Sequence, residues 1–302
     1  MDQQERDTLL VPTDFTDVSD FAVDHAIEIA KIFGRKICLL HVVHKKNIET
    51  SRLMLLEKNM ETHAAAIIRR TGLSVSYLVV EGSIFTTISE VAERIRAEFI
   101  VMGIHGKRGV QLLVGSYAYK VVKSSRIPVL LVKHMHHHVG YKNIVLPVNF
   151  SGKRAHKIAE AIKFARYFSA TVRIFGYQSS LNKAKILNKE ALLNNVREIF
   201  KKENIQVSTD LLVNPGYDWA EALMKYASDI DADLVMMVAD KPGFMTDMFS
   251  ANATERIIDR ADVPILAVAP SEIYREEQLQ KRAFLKPFID PLGLLSETET
   301  QS

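Results

Sequence analysis

The 302-residue sequence contains a single cysteine, Cys38. One thiol excludes an intramolecular disulfide and a cysteine-based zinc site. Its place in the apolar run Ile37-Cys38-Leu39-Leu40 marks it as a small core residue. A charge excess of either sign is also missing. The 39 Lys and Arg against 36 Asp and Glu leave a formal net charge of +3. So small a surplus leaves weak attraction for anions and does not mark a nucleic-acid binder. No apolar stretch approaches the roughly 20 residues of a membrane helix. Residues 1–7 are polar and mostly acidic and lack the basic-then-apolar pattern of a secretory signal. A cytoplasmic protein, with neither membrane nor nucleic acid as partner, is the expectation. A mainly disordered chain is excluded in turn, because 47% of the residues are hydrophobic and 25% charged, as in soluble globular proteins. The length suits about two domains at roughly 150 residues each.

What the sequence does have is a copy of itself. Leu9-Leu10-Val11-Pro12-Thr13-Asp14-Phe15-Thr16 resembles Ile144-Val145-Leu146-Pro147-Val148-Asn149-Phe150-Ser151, an offset of 135 (144 − 9). The offset persists at Ala26-Ile27 against Ala161-Ile162 and at Phe33 against Phe168. It still holds at Phe99-Ile100-Val101-Met102 against Leu234-Val235-Met236-Met237. Ile127-Pro128-Val129-Leu130 then matches Val263-Pro264-Ile265-Leu266 at 136, so one residue was gained or lost in between. Units of this length are whole domains, not solenoid repeats. The expected division is residues 1–135, residues 136–270 and a tail of residues 271–302.

Each copy alternates strand and helix. In the first, residues 8–11, 36–43, 74–80, 99–102 and 129–132 read as strands. A helix capped by Ser19 or Asp20 carries Phe21, Ala22, Ala26, Ile29, Ala30 and Phe33 at three- and four-residue spacing and ends at Gly34. Further helices are expected over residues 50–71, 84–97 and 115–124. Strands apolar along their whole length belong in a parallel sheet covered on both faces. The fold class is therefore α/β, with two doubly wound, Rossmann-like parallel sheets. Ligands of such sheets sit beyond the carboxyl ends of the strands, where the strand order switches. That points to Pro12-Thr13-Asp14, to His41-Val42 and to the loop after Met102.

That loop is glycine-rich. Gly103, Gly106, Gly109 and Gly115 fall in the segment between the fourth strand and the next helix. Glycines admit close backbone approach to a ligand. Free N–H groups at a helix start, with the Ser116 hydroxyl, suit phosphate, and Lys107 and Arg108 add positive charge. The segment is neither a Walker A loop nor a dinucleotide fingerprint. On spacing alone a flexible connection is the lesser reading.

Together these motifs resemble the universal stress protein family. The residues that carry the likeness are Val11-Pro12-Thr13-Asp14-Phe15-Thr16, Leu40-His41-Val42, Val101-Met102-Gly103-Ile104-His105-Gly106 with Gly115-Ser116, and Ile127-Pro128-Val129-Leu130. It is good over residues 8–133 and weaker over 142–269, so the chain looks like a tandem member. In the nucleotide-binding branch, the resemblance implies, ATP lies across the strand ends, with or without Mg. Pro12, Thr13, Asp14 and Val42 would lie near adenine and ribose; Gly103, His105, Gly106, Gly115 and Ser116 would surround the phosphates; and Met102 is counted with the nucleotide-binding residues. The chain departs from the family motif at one point: eight residues, not nine, separate Gly106 from Gly115. This either is absorbed within residues 107–114 or moves Gly115-Ser116 away from the phosphates. The second copy reads as eroded. Asn149 replaces Asp14, Val238-Ala239-Asp240-Lys241 replaces Gly103-Ile104-His105-Gly106, and Ala251-Asn252 replaces Gly115-Ser116. Side chains there fill positions that need bare backbone, and Asp240 adds negative charge, so ATP is expected in the first copy only. Family members commonly dimerise through the last strand, which implies that residues 129–132 and 265–268 meet within the chain as an intramolecular pseudo-dimer.

Other features were weighed in the same way. His134, His136, His137 and His138 could bind a transition metal, but no carboxylate or cysteine stands beside them, and a solvated linker is preferred. His105 has no nucleophile or paired acid nearby and is not assigned as a base. In the tail, Ile273, Leu279, Phe284, Phe288 and Ile289 can dock on the chain itself or serve a protein partner or homo-oligomer. Three function classes follow. The first is a non-catalytic, stress-response regulator that binds an adenine nucleotide. The second is an interaction module with both sites lost. The third, an enzyme such as a nucleotidyl transferase or ATP pyrophosphatase, ranks last, because its motifs are absent from Pro12-Thr13-Asp14-Phe15-Thr16 and no catalytic residue or metal site is identified.

Overall fold

A computed structural model of the chain describes residues 6–44, 49–104, 115–133, 140–148, 154–238 and 251–268. In the first half, β1 (Thr8–Pro12), β2 (Lys36–Val43), β3 (Val75–Glu81), β4 (Phe99–Gly103) and β5 (Val129–Val132) alternate with α1 (Asp17–Phe33), α2 (Thr50–Thr71), α3 (Ile84–Arg94) and α4 (Gly115–Ser124). The second half repeats the pattern. Its strands are β6 (Asn143–Pro147), β7 (Thr171–Gln178), β8 (Val207–Val213), β9 (Leu234–Val238) and β10 (Ile265–Val268). Its helices are α5 (Arg154–Phe168), α6 (Lys183–Lys202), α7 (Trp219–Asp229) and α8 (Ala251–Arg260). The α/β class with parallel doubly wound halves is as expected.

The described strands form one ten-stranded sheet, in the order β3-β2-β1-β4-β5-β10-β9-β6-β7-β8. Pairing is parallel within each half and antiparallel only where β5 meets β10. The register of that junction carries its symmetry. Leu130 pairs with Leu266, and these two are equivalents in the repeat (266 − 130 = 136). Val129 faces Ala267 and Leu131 faces Ile265, so each strand presents to the other what the other presents to it. That reciprocity defines an isologous twofold contact, and it closes both final-strand edges against further pairing.

Side chains alternate between two apolar layers. Leu9, Val11, Ile37, Leu39, Leu130 and Val132 join one core with α1, α2, α5 and α6. Leu10, Cys38, Leu40, Val129 and Leu131 join the other with α3, α4, α7 and α8. Both faces are covered, which is why the strands read as unbroken apolar runs. Each layer also draws on both halves, so the core continues across the junction. Phe33 and its repeat equivalent Phe168 meet there, ring centroids 5.8 Å apart, with Phe99, Phe164 and Tyr167 around them.

Two expected helix ends are corrected. α1 is capped by Thr16, not by Ser19 or Asp20: the Thr16 side chain accepts from the Ser19 N–H, and Asp17 and Asp20 lie in the first turn. The side chain of Thr16, three residues before Ser19, is placed to take that orphan donor. α3 stops at Arg94 instead of residue 97, because Arg96 turns into the left-handed region (φ 53) and the Ala97 N–H reaches back to the Ala92 carbonyl.

Candidate functional site

In the first half the chain starts in the middle of its sheet at β1, moves out through β2 and β3, and returns to β4 on the other side of β1. The strand order therefore switches between β1 and β4, the position where such sheets open a crevice at their carboxyl ends. Pro12, Thr13, Asp14, Val42, Met102 and Gly103 all lie at the ends of β1, β2 and β4, so the sheet brings together most of the residues expected from the sequence.

Thr13 organises this edge. Its N–H continues the ladder to the Leu40 carbonyl at 2.8 Å. The Ser19 hydroxyl donates to the Thr16 carbonyl at 2.8 Å, so in the 3.1 Å contact between the Thr13 and Ser19 hydroxyls Thr13 is the donor. Thr13 Oγ1 in turn accepts from the Phe15 N–H at 3.2 Å. His41 Nδ1 donates to the Thr13 carbonyl at 2.8 Å, which ties the end of β2 to the same turn. Asp14 Oδ1 accepts from Thr16 through both N–H (3.1 Å) and hydroxyl (2.5 Å), an Asx-type turn leading into α1.

The next residue, Phe15, takes φ 63, a left-handed backbone unusual for a bulky side chain. The residue is 38% exposed, and its ring lies 5.0 Å from that of His41 and 6.5 Å from that of His63. Phe15 and the tethering role of His41 were missed among the site residues. Their signal was Pro12-Thr13-Asp14-Phe15-Thr16 itself, where a turn-forming aspartate two residues before a helix-capping threonine forces the residue between them to turn sharply.

The other expected residues divide. Val42 is half-buried. The Met102 side chain is fully buried and packs in the core. Gly103 has a structural reason to be glycine. A Cβ there would lie 2.3 Å from the Val18 carbonyl oxygen and 2.8 Å from its carbon, so β4 and the first turn of α1 are in contact through bare backbone. Gly115 and Ser116 begin α4. His105 and Gly106 lie outside the described residues, as do residues 107–114 and His134, His136, His137 and His138. Among the described residues, no group of three or more His, Cys, Asp and Glu could hold a metal ion.

The second half keeps the backbone and changes the side chains. The Val148 N–H bonds the Phe175 carbonyl at 2.9 Å, as Thr13 bonds Leu40. Val148 has no hydroxyl, and Gly176 stands where His41 stood (176 − 41 = 135). Tyr177 replaces Val42; it is 9% exposed, and its hydroxyl donates to the carbonyls of Asn214 (2.6 Å) and Tyr217. Burial, with Asp218 and Glu221 nearby, pushes its phenol above the ordinary tyrosine value. The link that receives it runs from 214 to 218, five residues against two (82 and 83) in the first half. Asn149, Ala239, Asp240 and Lys241 lie outside the described residues; Val238 ends β9, and Ala251 and Asn252 begin α8.

Fold and site thus define a tandem, doubly wound α/β protein with unequal strand-end edges. A universal stress protein of Methanocaldococcus jannaschii is 34% identical over 137 residues, covering 41% of this chain and 81% of that one. A second from the same organism is 26% identical over 151 residues, covering 41% and 93%. The universal stress protein family matches residues 5–133. The chain belongs to that family. Its whole fold is similar to the crystal structure of a universal stress protein from Archaeoglobus fulgidus, with a TM-score of 0.69 at 21% identity, covering 88% of this chain and all of that one. Among the described residues, no helix is long and apolar enough to cross a membrane.

Proposed function

We propose that this chain is a regulatory protein of the stress response that binds ATP or a related adenine nucleotide, with or without Mg, in its first half only, and performs no substantial catalysis. The observation that carries the reading is the strand-order switch between β1 and β4, at which Thr13 holds the β1 turn, β2 and the start of α1 in one hydrogen-bonded unit. Pro12, Thr13, Asp14 and Val42 would take adenine and ribose there. Gly103, His105, Gly106, Gly115 and Ser116 would take the phosphates, with the amino end of α4 favouring the anion, and Met102, its side chain buried in the core, would contribute only the backbone at the end of β4. Residues 1–135 and 136–270 are read as two domains of the same family type. In the second, Tyr177 and its longer link occupy the place of Val42, which supports a single nucleotide per chain. The His41 Nδ1–H donates to the Thr13 carbonyl, which ties the end of β2 to the β1 turn. Residues 271–302 are read as a contact for the chain itself or for a protein partner, and the cell location as cytoplasmic.

The alternative, an interaction module without nucleotide, is favoured by one fact: Gly103 is explained by its packing on Val18 whether or not a phosphate approaches. Calorimetric titration of the full chain with ATP and ADP separates the two. One site per chain supports nucleotide binding. No binding leaves the interaction module, and two equivalent sites overturn the assignment to the first half.

A further inference from the structure

A second concavity lies between the two halves, away from the strand-end edge. It has a volume of about 300 Å³ and is lined by Arg6, Arg35, Glu98, Phe99 and Pro128 of the first half and by Lys163, Phe164 and Tyr167 on α5. Its floor is rigid. Arg35 grips Glu98 in a two-pronged pair (2.5 and 3.2 Å) and donates its remaining terminal nitrogen to the Phe33 carbonyl at 2.7 Å. The Tyr167 hydroxyl donates to the same Glu98 carboxylate at 3.2 Å, and its ring stacks on Phe33 with centroids 4.2 Å apart. Glu98, the only acid among the described lining residues, is therefore neutralised. Three cations against one carboxylate leave the walls at +2 (3 − 1), or +1 if the buried Glu160 carboxylate, 4.0 Å from the Lys163 ammonium, is counted.

Internal symmetry does not account for this cleft. The repeat offset of 135 places Tyr141 opposite Arg6, Ala170 opposite Arg35, Asp233 opposite Glu98 and Glu28 opposite Lys163. At the related position Tyr141 is 1% exposed, packed edge-on against Phe168 at 5.1 Å, with its hydroxyl 3.0 Å from His25 Nδ1. One groove is thus filled by a tyrosine, while the other is open and carries arginine and lysine.

We propose that the open cleft binds a small aromatic anion, a single planar ring bearing a phosphate or carboxylate. Tyr167, half-buried, offers the edge of its ring, and Phe99 and Phe164, each 3% exposed, form the apolar base behind it. Arg6 and Lys163 supply the charge-assisted donors, because Arg35 is committed to Glu98. About 300 Å³ is the lower end of the range for small-molecule sites, room for one ring and its anionic group. The proposal is independent of nucleotide binding at the β1–β4 switch.

Phenyl phosphate titrated into the full chain by calorimetry tests it, with inorganic phosphate as the comparison. Saturable 1:1 binding is expected, weakened at least tenfold in Lys163→Glu and in Arg6→Ala. Both positions are exposed, so the variants retain the fold, which circular dichroism verifies. Inorganic phosphate should bind at least tenfold more weakly than phenyl phosphate. Absence of saturable binding overturns the proposal. Binding that both variants retain places the anion elsewhere and overturns it too, and equal affinity for the two probes removes the aromatic part.

Discussion

The contact between Gly103 and α1 lends itself to a sharp test, Gly103→Ala. Gly103 is not in the left-handed region, so an alanine there meets no backbone strain. The whole effect is steric. The new Cβ would stand 2.3 Å from the Val18 oxygen, against about 3.4 Å for an ordinary contact. The Val18 carbonyl must therefore retreat by roughly 1 Å (3.4 − 2.3). It belongs to the first turn of α1, so Thr16 and Ser19, which hold Thr13, move with it. Overpacking of this kind costs about 1–3 kcal/mol. At about 2–4 °C per kcal/mol for a chain of this class, the thermal midpoint should fall by roughly 2–12 °C. Urea unfolding followed by circular dichroism and calorimetry measures both. Gly34→Ala is the control: φ is +64 and nothing lies within 4 Å of its added Cβ, so only left-handed strain of about 1–2 kcal/mol is incurred. If Gly103→Ala unfolds at the wild-type midpoint, the close approach is wrong.

Three further outcomes are expected. Gly115→Val should lower ATP affinity at least tenfold while circular dichroism stays native; unchanged affinity would remove the start of α4 from the phosphate assignment. Residues 1–135 expressed alone should form a homodimer through β5, because the edge that pairs with β10 is then unpaired, and Leu131→Asp, at a position 1% exposed, should abolish it; a strictly monomeric, soluble fragment in analytical ultracentrifugation would contradict this. Burial pushes the Cys38 thiol above its ordinary value, partly offset by Ser76 and Arg94. A disulfide reagent at pH 8 should therefore label it slowly until urea unfolds the chain. Because the folded thiol holds its proton longer than the unfolded one, this group's contribution to stability should fall as pH rises past about 8.5, the unfolded thiol's value. Rapid labelling of the native chain would show that the core at β2 is open.

How much of this was legible in the sequence follows from the range of each interaction. Repeats, apolar runs and glycine stops are local patterns. The bounds of β2, α2, α4 and β5 could be read from them residue by residue, and so could the alternation that makes the fold α/β. The end of α1 that begins at Thr16 was misplaced because three neighbouring residues could each cap a helix, and the choice depends on which side chain reaches the Ser19 N–H. The end of α3 depended on the left-handed turn at Arg96.

Tertiary structure alone decided what depends on distance across the fold. No sequence pattern shows that Gly103 is bare because of Val18, 85 positions earlier (103 − 18), or that His41 is spent on the carbonyl of Thr13. The reciprocal register centred on Leu130 and Leu266 was implied by two similar strands and set only when they paired. The unequal grooves beside that junction were hidden entirely. Tyr141 and Arg6 occupy equivalent places in the repeat, and only the packing of α1 and α5 makes one a core residue and the other the wall of a cleft. Local propensity and periodicity are written into neighbouring residues, whereas which side chains fill a space between two halves is settled by the shapes that face each other across it.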